Sequence, residues 1–162
     1  MPKVVSCGSR NSTFDDFTTA HKANTGGYVA MLIDSEDPVD NPEKTWDHLR
    51  NREGWVKPDR SDDNQVLFMT TCMETWIICD HDAIKQYYGS KIQESALLPL
   101  HDLERRNRHE IQDNLKHVTR NCANPYRKNN AYDVLGILNP TILDRNLSAF
   151  RRMKQIFNEN LY

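Results

Sequence analysis

The run Tyr28–Ile33, YVAMLI, passes directly into DSEDPVD, and this junction constrains the fold more than any other stretch of the 162-residue chain. Val29, Ala30, Met31, Leu32 and Ile33 form an unbroken apolar block. A short block without alternation suits a strand buried on both faces, and therefore a parallel sheet covered by helices on either side. Asp34, Glu36, Asp37 and Asp40 then place four carboxylates within seven residues. Such crowding is repulsive unless something positive neutralises it, and a divalent cation is one candidate.

Two further runs extend the pattern. Lys3–Ser9 (KVVSCGS) predicts a first strand reaching a glycine turn, and Gln65–Cys72 (QVLFMTTC) predicts a third. Residues 11–23 predict a helix with Ser12 as N-cap and Phe14 and Phe17 on its inner face, and Thr25–Gly27 breaks the chain before the second strand. The fold class expected is α/β, with a mainly parallel sheet, helices on both faces, and Gln65–Cys72 at or near the centre. Each connection is long enough for a right-handed crossover.

The polar, proline-marked stretch 37–64 contains an amphipathic segment whose Trp46, Leu49 and Trp55 tether it to the body. Residues 73–88 carry Met73, Trp76, Ile77, Ile84 and Tyr87 at helical spacing, with Gly89 as the stop. Asp80 suits the cap of a helix beginning at His81. Farther on, Leu103, Ile111, Leu115, Val118 and Cys122 form a narrow stripe on an otherwise charged helical stretch, and residues 129–138 and 145–157 predict two short helices separated by Asn139 and Pro140. The chain reads as one domain over residues 1–162, an α/β core to residue 100 and a helical extension from 101.

Composition excludes several classes. With 38% hydrophobic and 27% charged residues the chain has ordinary globular chemistry. No apolar run approaches the roughly 20 residues that span a bilayer, and MPKVVSCGSR lacks the apolar region of a signal peptide, so a cytoplasmic protein off the membrane is expected. Cys7, Cys72, Cys79 and Cys122 form no Cys-x-x-Cys pair and read as buried free thiols. His109–Asp113 opens like a zinc-protease helix but has Asp113 where the second histidine is required. The net charge of −2 hides a polarity: Asp34–Asp63 holds ten acids against five Lys/Arg, and Arg105–Lys154 holds eleven Lys/Arg against four acids. An acidic front and a basic back suit a metal and a polyanion, while solvated helix faces account for the same charges.

Ligands of open parallel sheets bind outside the carboxyl ends of the strands. The second strand delivers Asp34 and Glu36 there, on one side of the chain as long as it stays extended. The third delivers Glu74 to the same edge. Three carboxylates from two strands are the hard oxygen ligands that Mg²⁺ or Mn²⁺ takes at about 2.1 Å. The plain alternatives stay open: Asp34 as a turn residue and Glu74 as an acid favoured in a helix's first turn. Arg10, beside Gly8 at the end of the first strand, suits a phosphate contact, as does a local pair with Asp15 or Asp16. In YRKN, Tyr126 stands beside Arg127 and Lys128, an aromatic with two cations suited to a nucleic-acid backbone.

Together CGSRNSTFDDF, MLIDSEDPV, FMTTCMETWIICD and YRKNNAYDVLGILNP resemble a bacterial family described as a domain of unknown function and assigned to the TOPRIM-like folds. The resemblance covers nearly the whole chain in order. It implies a metal-dependent fold shared by topoisomerases, primases and nucleases of the overcoming-lysogenization-defect type, often encoded beside an ABC-type ATPase in phage-defence operons. The Asp-x-Asp motif of that fold falls on Asp34 and Glu36, with Glu in the second place, and Glu74 matches the family's ME-x-W. Such proteins open with another strand bearing a glutamate, which has no counterpart before Lys3. Two expectations follow: a Mg²⁺- or Mn²⁺-dependent nuclease on DNA or RNA with Asp34, Glu36 and Glu74 as ligands and Arg10, Arg127 and Lys128 on the nucleic acid; or a non-catalytic subunit that docks an ABC-type ATPase. An exposed sheet edge further predicts self-association or a stable complex.

Overall fold

Among the described residues strand pairing is confined to two short runs. The computed structural model describes residues 3–23 and 26–161, so Thr25 of the expected break lies outside them, while Gly26 has the positive φ of 76° that its turn requires. The elements run α1 (Arg10–Ala23), β1 (Met31–Asp34), α2 (Thr45–Glu53), β2 (Val66–Met69), α3 (Met73–Cys79), α4 (His81–Tyr88), α5 (Arg108–Thr119), α6 (Ala131–Leu135), α7 (Pro140–Asn146) and α8 (Ser148–Leu161). β1 and β2 pair in parallel, Met31 opposite Val66 through Asp34 opposite Met69. The architecture is α/β.

The expected first strand is a correction. Residues 3–7 have no secondary structure, and Val4 and Val5 are 90% and 60% exposed. Their valines find no apolar cover, and without burial the β propensity of two residues does not order a strand. Among the described residues the sheet therefore has two strands rather than three. Ser9, not Ser12, caps α1, its Oγ accepting from the Ser12 amide at 3.1 Å.

Helices lie on both faces, as the parallel pair requires. On one face Phe17 of α1 and Trp46 and Leu49 of α2 cover Met31, Ile33, Val66 and Phe68. On the other, Met153 and Ile156 of α8 cover Leu67. Leu32, opposite Leu67 in the ladder, is 40% exposed. β2 is thus buried on both faces and β1 on one only, because α8 crosses the sheet over β2.

The helical remainder has its own core, in which Ile77, Ile78, Ile84, Ile111, Leu115 and Val118 have no exposed surface. Each contributes about 1.5–3 kcal/mol of burial. Asp80 breaks residues 73–88 into α3 and α4: its Oδ1 accepts from the Ala83 amide at 3.1 Å as the expected cap, and its Oδ2 accepts from the Asn139 amide at 2.8 Å, joining α4 to the start of α7. Asn139 caps α7 and Pro140 occupies its first turn. One more helix thus stands where a separator was expected. The packing of α3 on α5 brings the far half of the chain to the carboxyl end of the sheet.

Candidate functional site

At the carboxyl end of the sheet the two chains stay in contact past the ladder. The Ser35 amide donates to the Met69 carbonyl at 3.1 Å and the Glu36 amide to the Thr71 carbonyl at 2.7 Å. Glu36 is then left-handed, with φ 69°. The same-side argument for Asp34 and Glu36 holds only while the chain is extended, and here it turns. The two side chains part.

Glu36 enters a cluster of ion pairs. Its Oε2 meets Arg108 from the first turn of α5, with Arg52 of α2 at 3.9 Å. Arg52 also pairs with Asp37 at 2.9 Å and Glu53 at 2.8 Å, and Glu53 takes Arg10 at 2.8 Å. Three arginines thus face three acids. Arg10 further donates to the Asp34 carbonyl and lies over the Trp55 ring, 5.5 Å from its centroid. Its partners are therefore Glu53, Trp55 and the strand end, not Asp15 or Asp16.

Asp34 turns the other way, towards Glu74. Glu74 stands in the first turn of α3 and is 3% exposed. Burial, and then the Glu74 charge, push the Asp34 carboxyl up to about 6; the Met73 amide, Arg10 and Lys128 offset this in part. Among the described residues Asp34 Oδ1 is buried without a hydrogen-bond partner, and no cation stands at ion-pair distance from Asp34 or Glu74. A buried, unpaired carboxylate oxygen beside a second carboxylate is costly.

The other side of the pair comes from residues 112–130. Tyr126 Oη donates to Glu74 Oε1 at 2.5 Å, and Gln112 Nε2 of α5 approaches Oε2 at 3.4 Å. Tyr126 is 7% exposed, so its ring is held in the core rather than offered to a base. Arg127 and Lys128, next along the turn, are exposed and form no ion pair among the described residues. The Lys128 charge is felt by Asp34. The turn therefore presents a phenol to Glu74 and carries two exposed cations beside it.

The structure thus joins Asp34 with Glu74, separates Glu36 from them, and uses Arg10 internally. Among the described residues no three His, Cys, Asp or Glu side chains are grouped to hold one ion. Two carboxylates nevertheless fit Mg²⁺ or Mn²⁺, which are bound through one or two carboxylates with water and substrate phosphate completing the octahedron, and the unpartnered Asp34 oxygen is the kind of donor such an ion requires. Tyr126 as a Glu74 partner, and Arg108 and Arg52 as Glu36 partners, were not legible from spacing. A separate cleft of about 420 Å³ lies between the loop after β1 and the α7–α8 corner. Its Arg151 and Arg152 are engaged by backbone carbonyls, its Glu104 caps α8, and none of Asp34, Glu36 and Glu74 lines it.

Residues 7–157 match a family model described as a domain of unknown function, DUF4276. No curated protein and no solved structure matches the chain. No described helix is long and apolar enough to cross a membrane.

Proposed function

The chain belongs to the DUF4276 family, and from the chemistry at its strand ends we propose that it is a divalent-cation-dependent nuclease, with Asp34 and Glu74 as the ion's protein ligands. The observation that carries this reading is the Asp34 Oδ1, buried and unpartnered among the described residues, on a carboxyl that also feels the Glu74 charge. When bound, Mg²⁺ or Mn²⁺ supplies positive charge against the charge that builds up on a phosphoryl group during hydrolysis. Asp34 and Glu74 hold the ion's place from two elements whose spacing the β1–β2 pairing sets. Arg127 and Lys128, exposed beside them, contact the phosphate backbone, and Arg10 anchors the strand end. Glu36 keeps Arg108 and Arg52 in place and is not a ligand in this arrangement.

A second reading, a subunit that docks another protein such as an ABC-type ATPase, draws on the exposed Leu32 on β1 and Val4 and Val5 before α1. Mn²⁺ titration of the intact chain, followed by assay of single- and double-stranded DNA and RNA with and without Mg²⁺, separates the two. The nuclease reading expects saturable Mn²⁺ binding and cation-dependent cleavage, both lost in Asp34→Asn. A parent that neither binds Mn²⁺ nor cleaves any of these substrates overturns it in favour of docking, and an Asp34→Asn variant that cleaves as the parent does removes Asp34 from the site.

A further inference from the structure

Glu74 has two carboxylate oxygens, and the structure treats them differently. Oε1 takes the Tyr126 hydroxyl at 2.5 Å, the length of a strong charge-assisted bond, while Oε2 has only Gln112 at 3.4 Å. The backbone that carries the phenol is held on both sides, and the Tyr126 ring is buried. The Tyr126 amide donates to Thr119 Oγ1 at 2.9 Å, and that hydroxyl donates to the Leu115 carbonyl at 2.8 Å, which fixes the turn to α5. On the other side Asn130 donates to the Pro125 carbonyl at 3.1 Å and accepts from the Arg127 amide at 3.0 Å.

A carboxylate with one oxygen committed offers the other as a single-point ligand. Ca²⁺ takes six to eight oxygens at about 2.3–2.6 Å and commonly uses both oxygens of a carboxylate; Mg²⁺ requires an octahedron at about 2.0–2.1 Å and accepts single oxygens with water. We propose that Tyr126 is a specificity-determining positioning residue, which holds Glu74 to one-oxygen ligation and so makes the Asp34–Glu74 site select Mg²⁺ or Mn²⁺ over Ca²⁺. This rests on the reading of Asp34 and Glu74 as cation ligands.

The test compares Mn²⁺, Mg²⁺ and Ca²⁺ affinities by calorimetry and by Mn²⁺ electron paramagnetic resonance in the parent, Tyr126→Phe and Glu74→Gln. The parent should favour Mn²⁺ over Ca²⁺ by at least about tenfold. Tyr126→Phe removes only the hydroxyl, and should raise the Ca²⁺-to-Mn²⁺ affinity ratio by about tenfold or more, within the range that partners of metal ligands command. A ratio within twofold of the parent's overturns the proposal, including the case in which affinity for every ion falls together, since a merely structural role moves all ions alike. A parent that binds Ca²⁺ as tightly as Mn²⁺ overturns it without recourse to the variant. If the parent binds Mn²⁺, Glu74→Gln abolishes binding and Tyr126→Phe leaves the ratio unchanged, the site stands and Tyr126 is excluded. A parent without Mn²⁺ binding removes both.

Discussion

Asp34 and Glu36 stand two residues apart at one strand end, yet their surroundings have little in common. Glu36 lies among Arg108 and Arg52, in a cluster where three arginines face three acids. Asp34 faces another carboxylate, with one oxygen buried and unpartnered. The difference teaches that the charge of a motif does not define its chemistry. What matters is which cations the fold brings into contact, and here it pairs them with the carboxylate of one acid, while at its neighbour Arg10 and Lys128 only partly offset the charge. The compensated side suits stability, and the uncompensated side suits binding.

The largest effect that tests this contrast is on cation affinity. Asp34→Asn and Glu74→Gln should each weaken Mn²⁺ binding by about 100-fold or more, about 2.7 kcal/mol, whereas Glu36→Gln should stay within about threefold in the same titration. Loss of affinity in Glu36→Gln equal to that in Asp34→Asn would erase the distinction between the two acids.

Next comes metal-free stability and its dependence on pH. The native Asp34 carboxyl is raised from 3.8 to about 6, so between those values the folded state binds more protons than the unfolded one. Its contribution is therefore fully favourable below about pH 4 and is lost as pH rises through 6. The shift corresponds to roughly 3 kcal/mol. Asp34→Asn should stabilise the metal-free protein by about 2 kcal/mol at pH 7.5, less than the full amount because the amide is buried in the same place. Urea unfolding should show that gain vanish at pH 4, and saturating Mn²⁺ should reverse it by stabilising the parent alone.

On the compensated side the sign is opposite. Arg108→Ala should destabilise by about 1–2 kcal/mol, since it leaves Glu36 half-buried with Arg52 at 3.9 Å as its remaining cation. Adding Glu36→Gln should recover part of that loss, and a double-mutant cycle in urea would measure the coupling. Additive losses would mean that Glu36 and Arg108 are not partners.

The smallest effect belongs to Glu36→Gly. Glycine relieves a left-handed backbone that costs a side-chain-bearing residue about 1 kcal/mol, while the ion pairs lost are of similar size. The net change should lie within about 0.5 kcal/mol. A loss of 2 kcal/mol or more would show the ion pairs to outweigh the backbone term.

Several features were legible from local chemistry because local chemistry decides them. Met31–Asp34 and Val66–Met69 lie within or beside the apolar runs that predicted them, Asp80 caps α4, Gly89 ends it with φ 81°, and Ile111, Leu115 and Val118 form the buried stripe of α5. Lys3–Ser9 misled, since Val4 and Val5 have the residue types of a strand and nothing to bury them. Glu36 misled for a different reason. Its place on the ligand side depended on an extended chain, and a single left-handed residue redirects the side chain. The closeness of Asp34 to Glu74 has a local cause, since each follows a strand and the two strands end at one edge.

By itself, then, the sequence determined what periodicity, capping and residue type can encode: an α/β chain with a parallel pair of strands, helices bounded at Asp80, Gly89 and Pro140, and acids at the carboxyl end of the sheet. Only the tertiary structure decided which acid would be neutralised and which left exposed to its own kind. Arg108 reaches Glu36 from 72 positions away, and Tyr126 reaches Glu74 across 52. No spacing rule connects such positions. Their meeting depends on α3 packing against α5 through Ile77, Ile111 and Leu115, a consequence of hydrophobic burial, which is non-directional and indifferent to the charges it happens to bring together.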